Sequence, residues 1–452
     1  MKNLIIFLYS SVILLYIVNR FASVPALTYI IGILAFTALV TAFFRSSGLY
    51  RKSGIFFFTG GLLLFFYNGT PIETFFLHFD TMLGILSLFF VLPFMNTIIR
   101  TGHYDSHLRK LLQHGAGDLN KLYKRSFLIS HFLGLFLNIA TIPLVHNTLR
   151  QSLSSIKTKL AQKFYSQSIL RGYALCLAWS PIEIMVIISL DMTGFTYVYL
   201  FPFIVSIVLF MFLSDWLFAR KKYQGMALPI ESEAAYSTRK VVSKITQMMG
   251  MLAFLVLTAT LLEYLFNKGF LFSIVLSIIP VSVLWAASIK RLRRYFTIAL
   301  PVFKARTLGL SNFFFLFLSA GFFVETLSAS DFMNYLEFVF VNSTDYILVL
   351  YFLIGLYFFV SAFAGFHPLV SIALLGEVLA PVMNEIGSIS LTLVLITSSL
   401  ATAIYSPFNL SVSLLSNQLG ITPYKISGWN LPFSLYYVTV SIFIAYALTY
   451  FI

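Results

Sequence analysis

Ala401-Thr402-Ala403-Ile404-Tyr405-Ser406-Pro407-Phe408-Asn409 interrupts a long apolar run near the C-terminus. Proline lacks a backbone donor and disfavours helix in the residue before it, so the Ser-Pro step predicts a broken helix. Broken backbone at membrane depth persists only where protein or a watered cavity satisfies the freed polar groups. The chain repeats the feature as Ala178-Trp179-Ser180-Pro181-Ile182-Glu183. Ser180-Pro181 and Ser406-Pro407 are 226 residues apart, and Gly194-Phe195-Thr196 and Gly420-Ile421-Thr422 share that spacing without a gap. Interrupted helices at corresponding places of two halves are the sequence mark of a transporter's binding site.

Composition sets the surroundings of this pair. Of 452 residues, 59% are hydrophobic and 10% charged, far below the roughly 25% charged residues of a soluble protein. Many segments reach the ~20 apolar residues that cross a bilayer. The expected fold is therefore an all-α polytopic membrane protein, and Asn3 to Val18 reads as a retained first helix because no small-residue cleavage site follows it. The lone Cys176 excludes an internal disulfide and a thiolate metal cluster. The net charge of +14 does not point to nucleic acid, because the bases gather in short connections between apolar runs, as membrane orientation requires.

Those bases dictate the topology. Ser126 to Thr148 is long enough to cross, yet Arg125 precedes it and Arg150, Lys157, Lys159 and Lys163 follow. A re-entrant hairpin with its tip at Asn138-Ile139-Ala140-Thr141-Ile142-Pro143 keeps both flanks on one side. From Leu327 to Asn384 there is no lysine or arginine although two apolar runs lie there, which predicts a second hairpin from the opposite face. Its tip would be Gly365-Phe366-His367-Pro368. The resulting architecture is about ten crossings plus two re-entrant hairpins in two inverted repeats. Of the 30 basic residues only Arg20 and Lys268 then lie outside. The expected parts are scaffold helices in 1–74, a first repeat in 75–217, a connection with scaffold helices in 218–306, and a second repeat in 307–452. The N-terminus would be cytoplasmic and the C-terminus outside, in a bacterial cell membrane.

Hairpin followed by broken helix, twice and inverted, resembles the ion transporter superfamily and within it the divalent anion/sodium symporters. In that family each hairpin tip carries Ser-Asn-Thr, then Ala-Thr and a proline. Leu137-Asn138-Ile139-Ala140-Thr141 with Pro143 is similar to the first copy, whereas Ser361-Ala362-Phe363-Ala364-Gly365 with Pro368 lacks the Asn and both Thr. The resemblance implies an elevator-type carrier of a small carboxylate-type anion, a sodium site at Asn138 and Thr141, and a homodimer.

Eight residues are candidates for solute or ion binding: Asn138, Thr141, Ser180, Glu183, Ser361, His367, Ser406 and Asn409. Glu183 carries the strongest signal, because an ionisable group at mid-membrane costs roughly 2.5–3.5 kcal/mol and faces a cavity or partner when kept. The bland alternative is a carboxylate that caps the broken helix. Exposed N–H groups favour the anion and low dielectric the neutral acid, so Glu183 suits coupling to a proton or cation. Asn409 is its neutral counterpart in the second half. His367, the lone histidine of that half, suits proton coupling or anion contact, or simply packs the hairpin. His131 and His146 read as structural, Glu377 as a gate or interface residue, and Asp80, Glu263 and Glu325 as helix-packing groups. His103, His107 and His114 have no acidic or cysteine partner for a metal and suit an interfacial amphipathic helix. No phosphate loop, zinc-protease motif or nucleophile elbow occurs. The expected activity is thus ion-coupled transport without catalysis or cofactor, with Na+ or H+ as coupling ion and lipid as surroundings. A membrane enzyme or translocase for a lipid-linked substrate, and a non-transporting scaffold, are the competing readings.

Overall fold

The two interruptions recur in three dimensions as the repeat spacing requires. In the computed structural model, which describes residues 2–102, 117–228, 238–386 and 388–451, the helix after the first break is Ile184–Thr193 and that after the second is Leu410–Leu419. The offset is 226 at both ends. Each helix stops at a glycine in the left-handed region, Gly194 (φ 73°) and Gly420 (φ 62°), where a side chain would be strained. Thr196 and Thr422 then precede the helices Tyr197–Tyr223 and Pro423–Leu448. The protein is an all-α polytopic membrane protein, with eleven helices among the described residues long and apolar enough to cross a bilayer.

In chain order the helices are α1 (Lys2–Ala22), α2 (Pro25–Arg45), α3 (Gly48–Tyr67), a 3-10 segment (Ile72–Phe79), α4 (Leu83–Thr101), α5 (Leu119–Leu137), α6 (Thr141–Leu149), α7 (Thr158–Leu177), α8 (Ile184–Thr193), α9 (Tyr197–Tyr223) and α10 (Thr238–Phe266). There follow α11 (Phe270–Ser288), α12 (Leu292–Gly309), α13 (Ser311–Ser328), α14 (Phe332–Val341), α15 (Ile347–Ala364), α16 (Pro368–Leu379), α17 (Ile389–Tyr405), α18 (Leu410–Leu419) and α19 (Pro423–Leu448). Two expectations change. The apolar run Phe75–Ile99 is not one helix, because a 3-10 segment ends at Phe79 and Asp80 follows it in the turn before α4. The basic connection Lys290 to Arg306 is mostly the helix α12. The expected interfacial helix carrying His103, His107 and His114 lies outside the described residues.

The chain forms two compact units, and each draws on both repeats. The first comprises Met1–Thr101, Thr258–Thr344 and Ala373–Glu385. Lipid offers apolar surfaces no reason to flee one another, so close packing of small against large residues must hold such helices together. Here α3 presents Gly54 to the Phe315 ring and Gly61 to Phe322, both on α13, and a Cβ at either glycine would fall within 3 Å of the ring. Gly32 of α2 lies against the Phe76 carbonyl in the same way. Glycine in a helix interior costs about 1 kcal/mol relative to alanine. Helix contact this close offsets that cost.

The second unit comprises Gly102–Leu257, Asp345–Ile372 and Ile386–Ile452, and holds both hairpin tips and both breaks. Contacts between α5 and α7 rise together along both helices. Tyr123 meets Phe164, Gly172 lies on the Phe127 carbonyl, Gly134 faces Cys176, and Tyr173 reaches Asn138. The two helices are therefore parallel, and the chain between them must return from tip to base. That return is α6, whose Leu149 carbonyl accepts a bond from Tyr165 near the start of α7. α15 and α17 are parallel by the same test. Tyr351 reaches Ser388 and Ser390, the Phe359 ring meets Tyr405, and Ser406 bonds the Ala362 carbonyl. Between them α16 turns back, its Ser371 carbonyl accepting from Tyr357 at 2.8 Å. Both re-entrant hairpins are present.

The tight α5–α7 seam predicts a coupled pair of substitutions. A Cβ at Gly134 would lie 2.4 Å from the Cys176 sulfur. Gly134→Ala is expected to cost about 1–3 kcal/mol through overpacking. Gly134→Ala in a Cys176→Ala background should recover most of that loss, read as the midpoint of thermal unfolding; equal losses in both backgrounds would contradict the seam.

Candidate functional site

Each tip sits beside the break of its own repeat, and the two pairs differ in chemistry. At the first tip Asn138 leaves α5 with φ 47° and ψ −132°, a backbone conformation that residues with a side chain rarely adopt. Its Oδ1 accepts the Tyr173 hydroxyl at 2.6 Å. Three residues on, Thr141 opens α6 fully buried, and its hydroxyl has no partner among the described residues. The break spans Ala178 to Glu183, between the end of α7 and the start of α8. Ser180 is buried there, and its carbonyl accepts the Glu183 N–H at 3.1 Å.

Glu183 occupies the position before α8, half-buried, with its carboxyl beside the N–H groups of Ile184 and Met185. It lies close enough to Tyr173 and Cys176 for its charge to act on both. Among the described residues no lysine, arginine or histidine forms an ion pair with it. The Asn138–Tyr173 bond thus ties the tip to α7, and Glu183 stands at the break that follows α7.

The second pair is aromatic and self-satisfied. Gly365 turns the tip with φ 89°, and the Phe408 ring lies over it. Tyr405 packs against the rings of Phe359 and Phe363, which also touch each other. The Ser406 hydroxyl bonds the Ala362 carbonyl at 2.9 Å, fastening break to tip. The Ser361 hydroxyl is turned back onto the Phe358 carbonyl. His367 Nδ1 accepts the Leu369 N–H at 3.3 Å, so the ring caps α16. Asn409 caps α18 by accepting from the Ser411 N–H and hydroxyl at 3.1 and 2.9 Å. Asn409, which matches Glu183 in the second half, is thus occupied within its own turn.

The breaks share a level. Gln162 near the start of α7 bonds the Leu419 carbonyl at the end of α18, and Thr193 at the end of α8 bonds Thr392 at the start of α17. The broken helices are therefore antiparallel. Interpolating at 1.5 Å per residue sets Ser180 opposite Ala403, within a turn of Ser406. Four helix N-termini, those of α6, α8, α16 and α18, begin at the tips and breaks. Each carries roughly half a positive charge. The arrangement gathers positive helix ends and one carboxylate at the tips and breaks.

Other candidates fall elsewhere. His131 accepts the Trp179 indole N–H at 3.0 Å, and His146 packs on Tyr165; both are structural contacts. Asp80, Glu263, Glu325 and Glu377 belong to the first unit, where Glu325 holds His78 at 2.9 Å and Thr81 at 2.7 Å.

Sequence reasoning missed a buried charge network in the second unit. Arg171, thirteen residues into α7 rather than at an interface, pairs with Asp215 of α9 at 2.6 Å. Tyr123 donates to the other Asp215 oxygen at 2.7 Å. The guanidinium also bonds Asn430 at 3.1 Å and the Trp429 carbonyl at 3.4 Å, and lies over Phe433. Asn430 in turn donates to Ser166. The network joins α5, α7 and α9 to α19. Charged residues inside apolar runs were the available signal.

Comparison with protein families finds no matching family model, and comparison with curated proteins finds no match. Among solved structures the chain is similar to the YdaH transporter of Alcanivorax borkumensis, described as having an unusual topology. The TM-score is 0.61 at 13% sequence identity, covering 88% of this chain and 98% of that one. This likeness is one of fold.

Proposed function

We propose that the protein is a secondary active transporter of a small anionic, carboxylate-type solute, coupled to an ion and working by elevator-like alternating access. The observation that carries this reading is the pair of antiparallel broken helices whose interruptions share a level, each beside a re-entrant tip. A non-transporting scaffold has no use for interrupted helices, and a lipid-acting enzyme would gather its polar groups at an interface. The resemblance of the first tip to the divalent anion/sodium symporters, and the fold shared with a transporter, support the same class.

In this mechanism the positive N-terminal ends of α6 and α8, with the Thr141 hydroxyl, receive the anion. The charge on Glu183 repels it, so solute binds well only when Glu183 is protonated, and the two cross together. Coupling of this kind is a binding free energy that each ligand lends the other. The second unit would be the moving body and the first the fixed scaffold and dimer surface. Sodium is a second reading of the coupling ion, favoured by the unpartnered Thr141 hydroxyl next to Asn138. Proteoliposomes given a panel of radiolabelled carboxylates under imposed pH or sodium gradients test both. Accumulation driven by the pH gradient supports Glu183, accumulation driven by sodium supports the Asn138 and Thr141 site, and no accumulation of any anion contradicts the proposal.

The topology carries its own prediction. Lys121 and Arg150 are exposed and flank the first hairpin. In a Cys176→Ala background, Lys121→Cys and Arg150→Cys should react with an impermeant thiol reagent from the same face. Reaction from opposite faces would make Ser126 to Thr148 a simple crossing.

A further inference from the structure

The ladder that begins with Arg171 and Asp215 continues toward the start of α7 and the end of α9. One turn from Arg171, the Gln167 carboxamide oxygen accepts the Lys222 ammonium at 2.6 Å and the Tyr223 hydroxyl at 3.4 Å. The Gln167 nitrogen donates to the Trp429 carbonyl at 3.2 Å, so the amide is held at both ends. Contacts descend α7 as they ascend α9, which makes the two helices antiparallel. One turn further, on the same face of α7 as Gln167, stands Lys163. It lies close enough to Lys222 for its charge to act there.

Lys222 is turned inward where its neighbours are not. Arg220 and Lys221 are exposed, whereas Lys222 and Lys163 are half-buried. Among the described residues the one acceptor of the Lys222 ammonium is the neutral Gln167 oxygen, and Lys163 has none. Arg171, Lys222 and Lys163 thus stand against a single carboxylate. Asp215 spends both oxygens, on Arg171 and Tyr123. Asp118, before α5, caps that helix by accepting the Asn120 N–H at 2.7 Å. α5, α6, α17, α18 and α19, which pack against α7 or α9, contain no aspartate or glutamate. Partly desolvated like charges repel, and an amide oxygen restores only part of the lost hydration. An anion between the two lysines relieves both costs. The apolar run of α9 ends at Phe218, one turn before Lys222, so the ammonium stands where hydrocarbon gives way to headgroups.

We infer that Lys163 and Lys222 form a site for an anionic phosphate group, borne by a lipid headgroup or free in solution, with Gln167 fixing the Lys222 ammonium. Lysine binds phosphate as a point charge, and the attraction weakens with salt. Buried Cys176 supplies the readout, since a thiol-reactive dye reaches it only on unfolding. The full chain is melted in uncharged detergent micelles with and without inorganic phosphate at constant ionic strength. It is melted again in nanodiscs of phosphatidylcholine and of an equal mixture with phosphatidylglycerol. A rise of the midpoint with inorganic phosphate in micelles marks the free anion as ligand, and a rise confined to the lipid mixture marks the headgroup. In either case Lys163→Gln with Lys222→Gln should remove more than half of the rise. Should that double variant fail to fold, Lys163→Gln alone should remove part of it, because Lys163 makes no bond on which the fold depends. Lys157→Gln with Lys159→Gln, exposed bases at the start of the same helix, should leave the rise unchanged. No rise from either source, a rise undiminished in the Lys163 and Lys222 variants, or an equal loss in the Lys157 and Lys159 control would overturn the assignment.

Discussion

Glu183→Gln is expected to lose gradient-driven accumulation altogether while still exchanging solute across the membrane. A pH difference of one unit is worth about 1.4 kcal/mol, or about tenfold accumulation per proton carried. The variant should sit at parity under the same gradient. Glutamine keeps the size of the side chain and its ability to meet the Ile184 and Met185 N–H groups, so the break should survive. It cannot titrate, and it presents no charge to repel an anion. Binding would then become independent of pH, and counterflow of labelled against unlabelled solute should persist. A variant that accumulates solute with wild-type dependence on pH and sodium would reduce Glu183 to a helix cap. The asymmetry of the halves sharpens the expectation. Asn409 already spends its oxygen on Ser411, so Asn409→Ala should cost about 1 kcal/mol of helix capping and leave coupling intact.

The largest loss of stability should come from breaking the Arg171–Asp215 pair. Both Asp215 oxygens are satisfied, one by Arg171 and one by Tyr123. Removing the guanidinium would strand a carboxylate in low dielectric. Arg171→Ala is therefore expected to cost about 3–5 kcal/mol. Arg171→Met with Asp215→Leu should lose much less, because neither partner is left charged and alone. Dye access to Cys176 on heating would record both. Equal destabilisation by the single and double variants would show that packing around Phe433, not charge pairing, dominates.

These residues also show where the sequence was informative. A fixed spacing of 226 places Ile184–Thr193 on Leu410–Leu419, and left-handed Gly194 on Gly420, because local backbone rules act identically in both copies. The hairpins were legible because charge placement across a membrane is a one-dimensional constraint. The Arg171 network was not, since its members come from four helices and pattern says nothing about which distant helix supplies a partner. Tyr173 was missed for the same reason: its contact with Asn138 depends on the parallel packing of α5 and α7. The 3-10 segment before α4 was hidden because its apolar run continues without a break in composition.

Alternating exposure of the broken helices is the central claim, and Phe408 offers the most direct access to it. The side chain is 37% exposed, lies between Ser406 and Asn409, and covers Gly365 of the second tip. Phe408→Cys in a Cys176→Ala background should be modified by an impermeant thiol reagent from either face of oriented vesicles. The ratio of the two rates should shift when an imposed pH or sodium gradient, or solute on one side, biases the carrier. Modification from a single face, at a rate that no gradient or solute changes, would contradict alternating access at this site.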